Sequence, residues 1–422
     1  MSEARGDAAH RDPAIPFTIR ALLVALFLAS FAAIGQITLL GKQVFDMTGR
    51  ELDLGLLGLA EFAPIALLAP IAGSVADSFD RRKVYGIALL GEIGSSLGLF
   101  LYVRSDPTSL APIFALVFMF GVARAFVAPS SRALPIDLSP PEILERVVAL
   151  RSLAWQAGII AGPIVFGFVF VAGRELPYLV AAGGFAAAAL TLLLVKDAPV
   201  AKLDRPVGYG QAFHDATEGL RFIRRTPVLF GAISLDLFAV LLGGAVALLP
   251  AIAEERLGVG AVGLGWLRAA IGIGATLTAA TLSVKPIKDH IGRVLLVAVG
   301  VFGLSTVMLG LTTSYVVAFA ALLVLASADA VSVFIRATIV PLATPEHMRG
   351  RVLAVENVFI GASNELGAVE SGVAGHVLGV VGAVVLGGVG TLLVVAGFWA
   401  FVPALRDVRR FADVRADLAS GP

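Results

Sequence analysis

The 422-residue chain has no cysteine, which excludes disulfides, thiolate metal sites and redox dithiols together. It is also poor in charge. Asp, Glu, Lys and Arg make up 15% of it, whereas a soluble domain carries about 25%. So few polar groups cannot cover a water-facing surface, which excludes a soluble enzyme. The net charge of +1 lacks the basic excess of a nucleic-acid binder. The five His residues form no pair at metal-binding helical spacing, and no serine stands in a nucleophile elbow. The run Gly35–Lys42 looks superficially like a phosphate-binding loop. Five residues separate its glycines where four are needed, however, and Gln43 stands where Ser or Thr belongs. These absences argue against an enzyme or an ATP-driven pump, and no cofactor or metal is expected.

What the chain does have is apolar length. Its residues are 58% apolar and its mean hydropathy is +0.91. A membrane span needs about 20 mostly apolar residues. Twelve segments qualify: 17–45, 53–77, 84–103, 109–135, 147–172, 176–195, 227–253, 261–284, 293–312, 315–341, 351–378 and 382–405. The first lacks a small-residue cleavage site and is too long for a signal-peptide core, so it reads as a span. The expected fold is an all-α membrane protein of twelve transmembrane helices in two six-helix pseudo-repeat halves. Residues 1–195 form the N-terminal half, 196–226 a cytoplasmic linker, 227–405 the C-terminal half and 406–422 a cytoplasmic tail. Within the linker, Phe213, Ala216, Leu220 and Ile223 recur at helical spacing, as in either a short membrane-surface helix or a plain solvated segment.

Basic residues orient the chain, because cytoplasmic loops retain Lys and Arg. Twenty-five of the 32 fall on the side that holds the N-terminus, Arg5, Arg11, Arg132, Lys196, Lys202, Arg205, Arg336 and Arg415 among them. Only Arg50, Arg104, Arg174 and Arg256 fall on the other, leaving Lys42, Arg124 and Arg268 inside or at the rim of spans. This bias places both termini in the cytoplasm of a multi-pass cell-membrane protein, expected to be a monomer in the bilayer.

The halves repeat in register. Arg132, Pro141-Glu142 and Arg146 after span four correspond to Arg336, Pro345-Glu346 and Arg351 after span ten, at offsets of 204 and 205 residues. Asp77 to Arg81 corresponds to Asp289 to Arg293. A parallel six-span repeat with a site at its interface is an architecture of alternating-access transporters.

Gly73-Ser74-Val75-Ala76-Asp77-Ser78-Phe79-Asp80-Arg81-Arg82-Lys83 resembles the first signature of the major facilitator superfamily, the loop between helices two and three. Ser78 replaces the usual basic residue and Asp80 the usual glycine. The second change is common in a subgroup similar to the enterobactin exporter. Gly41 to Phe45, Leu235 to Phe238 and Ser363 to Gly367 also resemble that subgroup. The resemblance covers essentially the whole chain. Gly158, Gly162, Pro163 and Gly167 in span five resemble the family's exporter-associated signature, with Phe166 in place of the first Gly of its final pair. Their chemistry is close helix packing with a proline bend, whichever way transport runs. Asp77 at the end of span two can bond Arg81 at the start of span three, a clamp that breaks when the cavity opens inward; the pair equally suits an ordinary charged loop.

An ionisable side chain at bilayer depth costs at least about 2.5–3.5 kcal/mol on insertion scales, so each needs a partner or a task. From 227 to Asp236 a helix climbs about 14 Å, close to the midplane. In the resembled fold, helices one, four, seven and ten line the cavity. Gln36, Arg124, Asp236 and Asp329 stand one on each, Arg124 placed to attract an anionic ligand group or neutralise Asp236 or Asp329. Glu365 lies on a stripe of small residues (Gly361, Ala368, Gly372, Gly375, Gly379), either desolvated for proton coupling or hydrogen-bonded across a helix contact. Glu61, Glu92, Arg268 and Glu370 are weaker candidates, with Arg268 expected to snorkel outward.

The resulting expectation is a proton-coupled exporter of a small amphipathic molecule, such as a siderophore or drug-like compound. An importer or uniporter of the same fold is one alternative, and a membrane-embedded receptor or enzyme another.

Overall fold

The computed structural model describes residues 15–195 and 209–414. Residues 1–14, the 196–208 part of the linker and tail residues 415–422 lie outside them, and with them Arg5, Arg11, Lys196, Lys202, Arg205 and Arg415 of the charge count. Among the described residues all regular structure is helical. Six helices come first: α1 (Phe17–Thr48), α2 (Glu51–Ser78), α3 (Arg81–Arg104), α4 (Ala111–Leu138), α5 (Leu144–Ala172) and α6 (Leu176–Leu192). Then follow α7 (Tyr209–Arg225), α8 (Pro227–Leu242), α9 (Gly260–Val284), α10 (Ile291–Leu311), α11 (Tyr315–Leu342) and α12 (Glu346–Phe401).

Ten of the described helices are long and apolar enough to cross a membrane. α6 adds a shorter apolar helix of 17 residues, about 25 Å at ~1.5 Å per residue. α12 is two legs, 346–378 and 380–401, broken at Gly379, whose φ of 72° lies in the left-handed region that favours glycine. α6 and the second leg of α12, counted apart from its first, are apolar segments beyond those ten among the described residues.

The seventh span, expected over 227–253, is present over Pro227–Arg256 but is interrupted. α8 stops at Leu242 and the chain continues as a 3₁₀ turn (Gly244–Val246), one α turn and a π segment (Ile252–Arg256). The break falls where backbones and rings crowd. A Cβ on Gly243 would stand 2.5 Å from the Phe302 ring and 2.7 Å from the Ala239 carbonyl, and one on Gly244 would meet the Gly367 carbonyl. α7 does form, but it docks on protein. Ile223 is buried among Val228, Val352 and Val355, and Arg351 pairs with Asp215 at 3.0 Å and Glu218 at 2.6 Å.

Lipid gives helices no hydrophobic reason to associate, so close packing of small residues decides who touches whom. On α5, a Cβ at Gly162 would stand 2.6 Å from the Phe31 carbonyl of α1, and Gly158 abuts Ser30. Further along α5, a Cβ on Gly167 would stand 2.7 Å from the Ala261 carbonyl of α9, while Pro163 backs onto Gly265. Phe166 is fully buried with its ring over Gly35 of α1, so the departure from the family signature is matched by a glycine on the facing helix.

The connections near residues 79–80, 139–143, 226, 285–290 and 343–345 share one end of the bundle, the basic face. Those near 49–50, 105–110, 173–175, 257–259, 312–314 and 379 share the opposite face. At the opposite face one buried cluster joins Phe45 of α1 and Leu54 of α2 to Leu248, Leu267, Leu309 and Val384. α2 meets the first leg of α12 there too: a Cβ on Gly55 would stand 2.8 Å from the Ala368 carbonyl, and one on Gly372 3.0 Å from the Glu51 carbonyl.

Candidate functional site

A cavity of about 480 Å³ lies where these helices converge. α1 contributes Ile34 and Thr38, α2 Glu61, α5 Ile159, α9 Arg268, α11 Asp329 and α12 Glu365, while the broken end of α8 supplies Gly243 and Gly244. Four of the sequence candidates, Glu61, Arg268, Asp329 and Glu365, thus line the same cavity. Glu365 is seated over Gly58 of α2, where a Cβ would stand 3.1 Å from its Oε2. Two expectations are corrected. Arg268 does not snorkel outward: it lines the cavity, and its Nη1 lies 3.5 Å from the Val246 carbonyl. Gln36 does not line it: its Oε1 accepts a 2.7 Å hydrogen bond from Ser96 of α3, because its side of α1 packs inside the first six helices. Glu370 is also outside the cavity, with Ser371 Oγ 3.4 Å from its Oε2.

Asp236 is paired with a residue that sequence reasoning had placed in a loop. Arg336, counted among the basic residues of the cytoplasmic connections, is only 5% exposed inside α11, and its Nη2 donates to Asp236 Oδ1 at 2.7 Å. Ser332 lies one turn back at 3.4 Å from its Nε. Glu356, also unforeseen, is buried and within the electrostatic reach of both. Asp236 and Asp329 share a small crevice with Phe302 and Ser332. The available signal was weak: Arg336 sits six residues before the end of α11, where a lone arginine ordinarily reads as interfacial.

Arg124 likewise corrects the sequence expectation. It reaches neither Asp236 nor Asp329; its Nε lies 3.5 Å from Glu61 and its Nη1 4.0 Å from Glu92 of α3. Glu92 is 1% exposed, and neither of its carboxylate oxygens has a hydrogen-bond partner. Glu61 lies in the cavity wall and Glu92 lines a separate chamber inside the first six helices, so Arg124 bridges the two compartments.

At the basic face Asp77 and Arg81 are bonded at 2.8 Å, and Arg81 also donates to Asp137 of α4 at 2.5 Å. Asp80 caps α3 by accepting from the Arg82 amide at 2.9 Å, and the Arg82 side chain bonds the Val195 carbonyl. A Cβ on Gly73 would meet open space, so packing does not require that glycine. The repeat diverges here, since Asp289 pairs with Arg410 at 2.9 Å. At the opposite face, Lys42 of α1 is 8% exposed and bonds Asp46 at 2.9 Å and Glu254 of the π segment at 2.8 Å, with the Phe170 ring 5.8 Å away. That tie between α1 and the segment after α8 was not foreseen.

A cavity between packed helix sets, walled by charged groups at bilayer depth and roofed at one face, defines a membrane transporter. Residues 21–368 match the model of the Major Facilitator Superfamily, and the chain belongs to that family. It is 26% identical over 375 residues to the enterobactin exporter EntS of Shigella flexneri, a match covering 87% of this chain and 85% of that one. It is also 26% identical over 274 residues to the uncharacterized MFS-type transporter YfiS of Bacillus subtilis (strain 168), covering 64% of this chain and 62% of that protein. Among solved structures, a POT family transporter in complex with 5-aminolevulinic acid superposes with a TM-score of 0.72 at 13% identity, covering 92% and 97% of the two chains. A bacterial homologue of the human lysosomal transporter Spinster, inward-facing and unoccupied, does so with a TM-score of 0.67 at 15% identity, covering 96% and 99%. These likenesses are to the fold. The chain is a multi-pass membrane transporter rather than an enzyme.

Proposed function

We propose that the protein is a proton-coupled exporter of a small amphipathic molecule, working by alternating access between residues 1–195 and 227–405. The linker 196–226 and the tail 406–422 then lie in the cytoplasm with the basic face. In this reading the structure is the inward-facing state: the opposite face is closed by the cluster around Leu248 and the Lys42 tie, and the cavity is reached from the basic face.

The observation that carries proton coupling is the Glu61–Arg124–Glu92 chain. A carboxyl group buried with no hydrogen-bond donor, 4.0 Å from a guanidinium shared with a second carboxylate, is a place where a proton can be held and released. When Arg124 leaves Glu92 for Glu61, the charge balance of the cavity wall changes with it. Asp236, bonded to Arg336, offers a second such switch, and Glu365 and Asp329 face the same cavity. Export is the direction favoured by the EntS relative, and its named cargo, enterobactin, suggests a siderophore-like substrate. In this account the Asp77–Arg81 pair, bonded in the state read as inward-facing, is not the clamp expected to break on inward opening; with Asp137 it holds α2, α3 and α4 as one body that moves together.

The experiment is flux in proteoliposomes with an imposed pH gradient, using ethidium and 4-nitrobenzoate as cationic and anionic probes. Gradient-driven flux of at least one probe is expected, lost at least tenfold in Glu92→Gln and in Asp236→Asn. If Glu92→Gln, Asp236→Asn and Glu365→Gln all leave it unchanged, the coupling scheme is wrong.

A further inference from the structure

The chamber inside the first six helices has a volume of about 550 Å³ and shares no lining residue with the central cavity. α1, α3, α4 and α5 wall it. Arg132 of α4 and Arg151 of α5 both line it, close enough for their charges to repel, and neither has a carboxylate within ion-pair distance among the described residues. Arg124, deeper in, is already shared by Glu61 and Glu92. Tyr85 lines the chamber fully buried, its hydroxyl without a hydrogen-bond partner. Trp155, 45% exposed, adds a flat apolar wall one turn along α5 from Arg151.

Arg132 is exposed and Arg151 half-buried, so the two guanidiniums stand where the chamber opens; they repel each other, and an anion between them would offset that repulsion and accept their forked donors. A buried hydroxyl donor left open is destabilising, and an acceptor oxygen would satisfy it. An indole face favours a planar body. From this convergence we propose that the chamber binds an organic anion, a carboxylate or phosphate held by Arg132, Arg151 and Tyr85 with a flat apolar body against Trp155, and that this is where cargo first docks. The binding claim stands by itself; the cargo claim rests on the transport reading above.

The full chain in detergent tests it. Trp266→Phe and Trp399→Phe leave Trp155 as the one remaining tryptophan of the three. Saturable quenching of Trp155 by 4-nitrobenzoate is expected, with the uncharged 4-nitrobenzamide at least tenfold weaker. Arg132→Gln with Arg151→Gln should weaken nitrobenzoate at least tenfold and leave the amide unchanged, while the corresponding Lys pair, which keeps the charge but loses the fork, should fall between the Arg and Gln pairs. Equal affinity for acid and amide, or no response to the Gln pair, overturns the proposal, and so does a Lys pair as weak as the Gln pair. Dihexanoyl phosphatidylglycerol displacing nitrobenzoate with tenfold higher affinity would make the chamber a lipid-headgroup site and overturn the cargo claim. Because quenching needs no flux, absent proton-driven transport with intact Arg-dependent quenching counts against the transport reading alone, and the converse against this proposal alone.

Discussion

The residues that carry the account are charges where the bilayer penalises charge, and each is defined by its partner. Asp236 and Arg336 are both nearly inaccessible, so removing one leaves the other uncompensated. Arg336→Ala is expected to cost about 3–5 kcal/mol, lowering the thermal unfolding midpoint in detergent. Arg336→Met combined with Asp236→Asn should recover most of that loss, and a double variant as unstable as the single one would contradict the pairing. Asp236 was legible in the sequence because a carboxylate stands out in an apolar run. Arg336 was not, because a basic residue near a helix end satisfies topology equally well, and its partner lies 100 positions earlier. Arg124 was legible as a charge inside a span, but it pairs with Glu61 and Glu92 and not with Asp236 or Asp329. Its helix address was readable, but its orientation toward α2 and α3 comes from packing, which spacing alone does not encode. Gln36 illustrates the same limit from the other side, a polar residue inside a span whose task is a bond to Ser96.

Among the helices, small residues and breaks set the geometry. Substituting Gly158 by Leu would drive a side chain into Ser30 and the Phe31 amide of α1. A several-fold fall in monodisperse protein on size-exclusion chromatography is expected, while Gly183→Leu, where a Cβ meets open space, should behave as wild type. Spans one to six and eight to ten were readable because each is one apolar run with a polar or glycine stop. The seventh was readable as a span as well, but its interruption was not, because Gly243 and Gly244 sit inside an apolar run and their effect depends on Phe302 and Gly367 beside them. The α1 tie is the other element-scale device. Lys42→Ala removes the pair with Asp46 inside α1 and the one tie from α1 to Glu254, so the opposite face should open more often. The chain has no cysteine, so Thr38→Cys, in the cavity wall, can report this through labelling by an impermeant maleimide from that face. A several-fold faster rate in the Lys42→Ala background is expected; an unchanged rate would show that the apolar cluster closes the face unaided.

The whole molecule is a pair of helix sets that meet tightly at one face, with carboxylates near the depth where they separate. The low charge count already excluded a soluble protein, and the family resemblance carried the fold. What remained hidden was which charges face each other across the chain. The central claim is that protonation of these carboxylates exchanges which face is closed. The direct measurement is a pair of spin-label distances in lipid nanodiscs, one between positions 79 and 284 at the basic face and one between 101 and 316 at the opposite face, all exposed. Between pH 8 and pH 5 the account predicts changes of opposite sign, one distance lengthening as the other shortens, with the response abolished by Glu92→Gln combined with Asp236→Asn. Distances that stay fixed across that range, or that move in the same direction, would contradict it.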